Sequence, residues 1–445
     1  MTSAEESEAR PEAEGSLARD TLLVFVGQAV GNVGLLVAVV ILARSLGPDG
    51  RGSMAFIMVG ALVGARLVKV GLGEAARVMA ARRPDDQALI LVNFLLFTLG
   101  ASALGALVLV SALLLAPGPH PASLEDQHII LMGICMVCSS TVDESFLLGA
   151  SRFRHLAIGL AFCGWSYVVA LAVVAAGPGL TVSSAAVAWS AAAALSALAF
   201  NAPPLLRLGF ARPDIGLLRE SLHFGLRAWP GSVAQTLNAR VDQLIIGVIA
   251  SASTLGIYAI AVNVAELLLY IPHAISRSLT PRVATGVHAE ATDRTLHVFR
   301  LTMIVTVASG GVALAAGPLL LPLVFGEAFR PSVGPFMWLV PGALGVSAML
   351  IFVPALLGTA DPGRSSLGPM LSLVTGIVLV LLLVPGLDAT GASVAATVSL
   401  TLGGVTAVLL FRRRQRFAWR LLWPRMSDLR ELAALPGALA RRAAP

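Results

Sequence analysis

Between positions 230 and 282 the chain reads PGSVAQTLNARVDQLIIGVIASASTLGIYAIAVNVAELLLYIPHAISRSLTPR, two apolar runs separated by a short break at 251–254. Both runs carry side chains that rarely sit among Ala, Val, Ile and Leu. In the first, Gln235, Asn238 and Asp242 recur at i, i+3 and i+7, with Thr236, Arg240 and Gln243 on the adjacent face. In the second, Asn263, Glu266, Tyr270, His273 and Arg277 recur at i, i+3, i+7, i+10 and i+14. On a helix each set forms one polar stripe. Amides, carboxylates, a phenol, an imidazole and guanidinium groups together donate to and accept from a polar ligand in many geometries.

The helices that would hold these stripes are membrane spans. The 445-residue chain is 57% hydrophobic and only 13% charged. A soluble domain cannot cover that much apolar surface with so few charges, so the fold class is an all-α polytopic membrane protein. About 20 residues cross a hydrocarbon core of ~30 Å. On that basis twelve spans are expected, near 22–43, 54–70, 89–115, 128–148, 156–175, 184–205, 224–250, 255–276, 297–316, 333–357, 367–383 and 389–411. A charge at the middle of such a helix costs about 2.5–3.5 kcal/mol on insertion scales, so the stripes should face protein or a water-filled passage. Two readings stay open. Arg240 and Asp242 either pair with neighbouring helices and hold the bundle together, or adjacent helices wall a hydrophilic passage.

Orientation follows from the basic residues. All but four of the 31 Lys and Arg residues fall in the two tails and in loops on one side, with their flanks; Arg44, Arg51, Arg240 and Arg330 are the exceptions. Positive charge marks the cytoplasmic side, which places both termini in the cytoplasm. The net charge of +6 therefore reports topology, and no nucleic-acid partner is expected. Residues 1–20 are acidic and polar and read as a disordered tail. Residues 412–445, with Trp419 and Trp423 among arginines, read as a basic tail holding an interfacial amphipathic helix on anionic membrane lipids.

The chain also repeats. Pro178-Gly179-Leu180 with Ala185, Val187 and Ala188 matches Pro385-Gly386-Leu387 with Ala392, Val394 and Ala395; Leu147-Leu148-Gly149 matches Leu356-Leu357-Gly358; Gly52 matches Gly256. The offset is nearly constant, which predicts two pseudo-symmetric six-helix lobes: 21–206, then a cytoplasmic linker at 207–223, then 224–411. An even number of spans per lobe makes the repeats parallel, and in transporters of that kind the path lies between the halves. The same offset lays Tyr270, His273 and Arg277 over Arg66, Lys69 and Gly73. Arg66 and Lys69 thus join the candidate cavity residues. Positive-inside flanking accounts equally for Lys69.

Weaker marks are Gln28 and Asn32 at i, i+4 among Gly27, Gly31 and Gly34, where close packing competes with ligand contact. Asp143 and Glu144, each four residues after a serine, serve either as structural partners or as a proton or substrate site. Cys135-x-x-Cys138 has no second ligand pair and reads as packing, so no metal, cofactor or catalytic residue is expected.

Several stretches resemble one family. LARSLGPDGRG (42–52) resembles the first-loop signature of polysaccharide-export flippases. RVDQLIIG, TLGIYAIA and LTPR resemble their seventh and eighth helices, LLGASRFRHLA an inner loop, and GASVAATVS the twelfth helix. The family is the oligosaccharide–lipid flippases of the multidrug/oligosaccharidyl-lipid/polysaccharide exporter superfamily. The resemblance implies two lobes with alternating access and no enzymatic activity. It implies an undecaprenyl-pyrophosphate-linked oligosaccharide as substrate, moved from the inner to the outer leaflet of the cytoplasmic membrane for cell-surface polysaccharide synthesis. A polysaccharide polymerase or export machinery is the expected protein partner. Arg66 and Arg240 are the candidates for the pyrophosphate. A cation-coupled multidrug exporter of the same superfamily is the nearest alternative, although the first span lacks the acid such exporters usually carry. A membrane-embedded polymerase would need longer outer loops, and a non-transporting scaffold would not need the stripes.

Overall fold

The computed structural model describes residues 3–177, 179–270, 272–273, 288–358, 362–428 and 430. Among them there is no strand, and there are twelve α-helices, several of them linked by short turns or short stretches of 3-10 helix. The chain divides into two compact units, residues 1–240 with 251–253 and residues 241–250 with 254–445.

The first unit opens with α1 (Ser3–Val68), which is two limbs bent at Gly47. Gly47 has φ 66°, a left-handed value that favours glycine, and Pro48 then starts the second limb with its φ already helical. The second limb therefore begins nearly two turns earlier than hydropathy predicts, and Arg51 is helical and 4% exposed instead of lying in an outer loop. The helix also starts at Ser3, inside the segment read as a disordered tail; its Ala, Glu and Arg residues are strong helix formers.

The unit continues through α2 (Leu72–Arg82), α3 (Gln87–Leu115), α4 (Asp126–Ser140), α5 (Ser145–Gly149), α6 (Phe153–Ala176), α7 (Val182–Leu208) and the first part of α8 (Ile215–Ile249). Gly27, Gly31 and Gly34 of α1 form a seam against α6: a Cβ on Gly31 would stand 2.3 Å from the Leu160 carbonyl oxygen. The glycines of the first span therefore serve close helix packing. At one end, α2 and α5 pack so tightly that a Cβ on Gly149 would lie 2.2 Å from the Arg77 carbonyl oxygen. A buried cluster around Leu91, Phe94, Phe146, Leu156 and Phe200 closes that end and includes Leu217 of α8. The segment read as an inter-lobe linker is thus largely helical and belongs to the first unit, held by Asn93, whose side-chain amide donates to the Asp214 carbonyl at 2.8 Å and accepts from the Asp214 N–H at 3.1 Å.

The second unit holds the end of α8, all but the first two residues of α9 (Ala252–Leu267), α10 (His288–Phe325), α11 (Val333–Gly358) and α12 (Pro362–Gln415). α12 is again two limbs, broken at Asp388 with φ 48°. A 3-10 turn joins α10 to α11 at Glu327–Ser332, just as one at Pro121–Ser123 lies between α3 and α4 in the first unit. Phe299, Phe352, Phe411 and Phe417 stack in a ladder with centroids 4.9, 5.2 and 5.9 Å apart, the centre of this unit's core. Beyond α12 the chain makes a 3-10 turn, Trp419–Leu422, and residues 426–428 are again helical; the rest of the basic tail, from 431, lies outside the described residues. The Arg412 guanidinium lies 4.4 Å from the Trp419 ring centroid. Asp428 returns to α10, where Arg300 grips it with Nε–Oδ2 at 2.7 Å.

Eight stretches among the described residues are long and apolar enough to cross a membrane, and those at 22–68 and 364–415 each contain two limbs. α9 falls short on length, and the polar load of α8 keeps it outside that class. With these two, twelve spans are accounted for, and the protein is a multi-pass membrane protein.

Candidate functional site

In the first unit the candidates resolve into pairs and single residues. Lys69, immediately after α1, donates through Nζ to Asp143 Oδ2 at 2.8 Å, and both side chains are buried. The other carboxylate oxygen accepts the Ser145 N–H at 2.8 Å. Gly73 makes room for this arrangement, since a Cβ there would stand 3.1 Å from Asp143 Oδ2. Glu144, next to the pair, begins α5 with its carbonyl accepting the Leu148 N–H. One turn before Lys69, Arg66 is half-buried and has no carboxylate within 4 Å among the described residues. The two cations that sequence spacing groups together are therefore electrostatically unlike.

Gln28 and Asn32 are half-buried and bonded to each other, Nε2 to Oδ1 at 3.0 Å, as their i, i+4 spacing on one helix allows. On α8, Gln235 is exposed and Asn238 and Arg240 are half-buried. This part of α8 is tied to the first unit higher up: the Trp229 indole N–H donates to the Leu67 carbonyl at 3.1 Å. Gly71 and Gly225 meet so closely that a Cβ on Gly71 would lie 2.1 Å from the Gly225 oxygen, and Gly71 also has φ 73°.

In the second unit Asp242 accepts a hydrogen bond from the hydroxyl of Tyr258, a fully buried residue of α9. Thr254 Oγ1 donates to Asp388 Oδ1 at 3.5 Å, beside the break in α12. Asn263 and Glu266 lie half-buried on α9. The predicted stripe does not continue on one unbroken helix. α9 ends at Leu267, with the Leu268 and Leu269 N–H groups donating to carbonyls three residues back. Pro272 explains this: it lacks the N–H that would continue the ladder and crowds the preceding turn. Tyr270 and His273 follow the break and are exposed, and Arg277 lies outside the described residues.

Sequence reasoning missed Tyr258, whose bond to Asp242 crosses the break between α8 and α9 and so follows no helical spacing. It also placed Arg51 in an outer loop. Arg51 Nε and Nη1, and the hydroxyl of Tyr167, are buried without a hydrogen-bond partner among the described residues. Pro48, whose fixed φ suits the first turn of a helix, was the available signal that the helix begins before Arg51. Among the described residues no group of His, Cys, Asp and Glu is arranged to hold a metal ion.

A family model described as polysaccharide biosynthesis protein matches residues 41–334, well over half of the chain. The chain belongs to this polysaccharide biosynthesis protein family. All the primary candidates, from Arg66 to Arg277, lie inside the matched stretch; Gln28 and Asn32 precede it. A relative from Haloferax volcanii, named as the probable flippase AglR, is 27% identical over 214 residues, which cover 46% of this chain and 44% of that protein's length. The fold is similar to that of solved multidrug-resistance transporters. An inward-facing multidrug-resistance MATE transporter of the MOP superfamily superposes with a TM-score of 0.66 at 14% identity, over 88% of this chain and 98% of its own. A MOP-superfamily transporter from Pyrococcus furiosus, whose binding pocket is described as reversed in polarity, gives 0.61 at 14% identity over 90% and 95%. A Vibrio cholerae MATE transporter gives 0.60 at 14% identity over 91% and 97%.

Proposed function

We propose that this family member is a flippase that moves a polyprenyl-pyrophosphate-linked oligosaccharide from the inner to the outer leaflet of the cytoplasmic membrane, by alternating access between two six-helix lobes. The observation that carries the reading is Arg66, a guanidinium in the last turn of an apolar span with no carboxylate beside it among the described residues. An arginine in that setting is a donor kept for an anion, and its planar fork suits the oxygens of a pyrophosphate. A sugar head cannot cross hydrocarbon, because its hydroxyls would lose their hydrogen bonds. Gln235, Asn238, Asn263 and Tyr270 offer replacements, while the polyprenyl tail stays in lipid. Lys69 and Asp143 take a structural role in this reading, since each already satisfies the other. Family membership and the printed function of the Haloferax relative support the same reading.

The test is a deletion strain examined for lipid-linked oligosaccharide trapped in the inner leaflet, complemented with wild type, Arg66→Lys or Arg66→Ala. Wild type should clear the trapped lipid and Arg66→Ala should not, at equal protein level. Clearance by Arg66→Ala would remove Arg66 from the substrate path.

A cation-coupled multidrug exporter is the second reading, favoured by the MATE structures of the same fold. Against it, the limb at 22–46 contains no acid, and its polar pair Gln28–Asn32 is neutral and mutually bonded. Coupling by Asp242 or Glu266 would serve either reading. Unchanged transport across pH in both Asp242→Asn and Glu266→Gln would exclude it.

A further inference from the structure

The first unit contains a second basic site, apart from the polar stripes. A cleft of about 270 Å³ opens where the start of the first span, the N-terminus of α6 and the last turns of α7 come together, lined by Asp20, Arg152, Arg154, His155, Pro203 and Arg207 among others. The lining holds three arginines and one aspartate, and none of the three arginines has an acid within 4 Å among the described residues. Arg152 is half-buried, and burial first and the charge of Arg207 second lower its pKa from the usual guanidinium value. Two cations are thus held near each other with no acid in ion-pair contact among the described residues.

The backbone adds to this field. α6 is 24 residues long, and its N-terminus carries no side-chain cap. Its first-turn N–H groups and the positive end of its dipole lie at the cleft, the arrangement that receives phosphate at helix N-termini. His155 is held in place by an unusual partner. Pro203 has no N–H to give to the Ala199 carbonyl, and that carbonyl instead accepts His155 Nε2–H at 2.9 Å. The prolines therefore shape one wall and fix a side chain in the other.

We propose that this cleft is a phosphate-binding site, built for a phosphomonoester or pyrophosphate group and held by Arg152, Arg154, Arg207 and the α6 N-terminus. Its end of the bundle is the one that the arginine pattern assigns to the cytoplasm, so the group arrives either on a lipid of the inner leaflet or as a soluble anion. The site is distinct from Arg66, and what tests it is the binding lost on changing Arg152, Arg154 and Arg207, not transport.

Full-length protein in neutral detergent is titrated with sodium pyrophosphate by calorimetry. In parallel, protein in phosphatidylcholine nanodiscs containing a small fraction of phosphatidic acid is examined by native mass spectrometry for retained lipid. Wild type is compared with Arg152→Gln/Arg207→Gln, with the exposed single change Arg154→Gln, and with Arg330→Gln as a distant control. Loss of charge-assisted contacts should weaken binding at least about tenfold in the double variant and several-fold in Arg154→Gln, with the control unchanged. Retention of phosphatidic acid without pyrophosphate binding identifies a lipid phosphate; the reverse identifies a soluble one. If both probes bind the variants as they bind wild type, or neither binds wild type, the site does not exist. Should the double variant fail to fold, Arg154→Gln decides alone.

Discussion

Each unit buries a cation against an aspartate, and the two pairs do different work. In the first unit, Lys69 reaches Asp143 through a single 2.8 Å contact that joins the end of α1 to the segment after α4, inside the bundle. In the second, Arg300 holds Asp428 with Nε at 2.7 Å and Nη2 at 3.3 Å, and a further donor of the same guanidinium reaches the Leu421 carbonyl at 3.0 Å. The lysine pair ties span to span. The arginine fork fastens the chain beyond α12 onto α10. Two buried ion pairs with similar burial therefore report on different things, the integrity of a bundle and the docking of a peripheral segment.

The largest effect is expected from Asp143→Ala, which strands the Lys69 charge in the interior. Thermal or denaturant unfolding should show a loss of roughly 3–5 kcal/mol, and Lys69→Met combined with Asp143→Leu should recover most of it. If the double variant is no better than Asp143→Ala, the pair is more than structural. Gly31→Val comes next. Its Cβ would collide with the backbone of α6 at Leu160, and overpacking of about 1–3 kcal/mol should appear as a lower melting temperature.

Asp428→Asn should leave global unfolding close to wild type while raising protease cleavage and amide exchange in residues 416–428. A drop in the midpoint as large as that of Asp143→Ala would erase the contrast between the pairs. The pH dependence follows in sign. Hydrogen bonds from Arg300 hold the Asp428 carboxyl below the usual carboxylate range, so its contribution is complete above the unfolded value near ~3.9 and is lost only as pH falls through the lower folded value. Protection of the segment should be flat through neutral pH and fail only in strong acid. The smallest stability change belongs to Arg66→Gln, within about 0.5 kcal/mol, because no carboxylate loses its partner. Its effect should fall on transport instead.

Much of this was legible in the chain. The twelve spans follow from runs of apolar residues because a bilayer demands length and internal hydrogen bonding, both of which are written locally. The glycine seam of α1 also stands in the sequence as Gly27, Gly31 and Gly34, although its partner does not. The breaks were less visible. Hydropathy places span ends around Gly47 and Asp388 but does not show that each break is a single residue in an otherwise continuous helix, and Pro272 ends α9 a turn before itself. The start of the second limb, and with it the burial of Arg51, depended on that one residue.

The sequence by itself determined that this is a helical membrane protein with a repeated half and a polar load unusual for its spans. Those properties are sums over neighbours along the chain, and such sums survive without coordinates. Only the tertiary structure decided which charges are already answered. Lys69 and Asp143 are 74 positions apart, and Tyr258 reaches Asp242 across a helix break, so no periodicity announces either contact. Arg66 and Lys69 look equivalent at i and i+3. One is sealed against an aspartate and the other is not, because a pairing depends on which helix packs alongside, a fact that lies in the fold and not in the spacing.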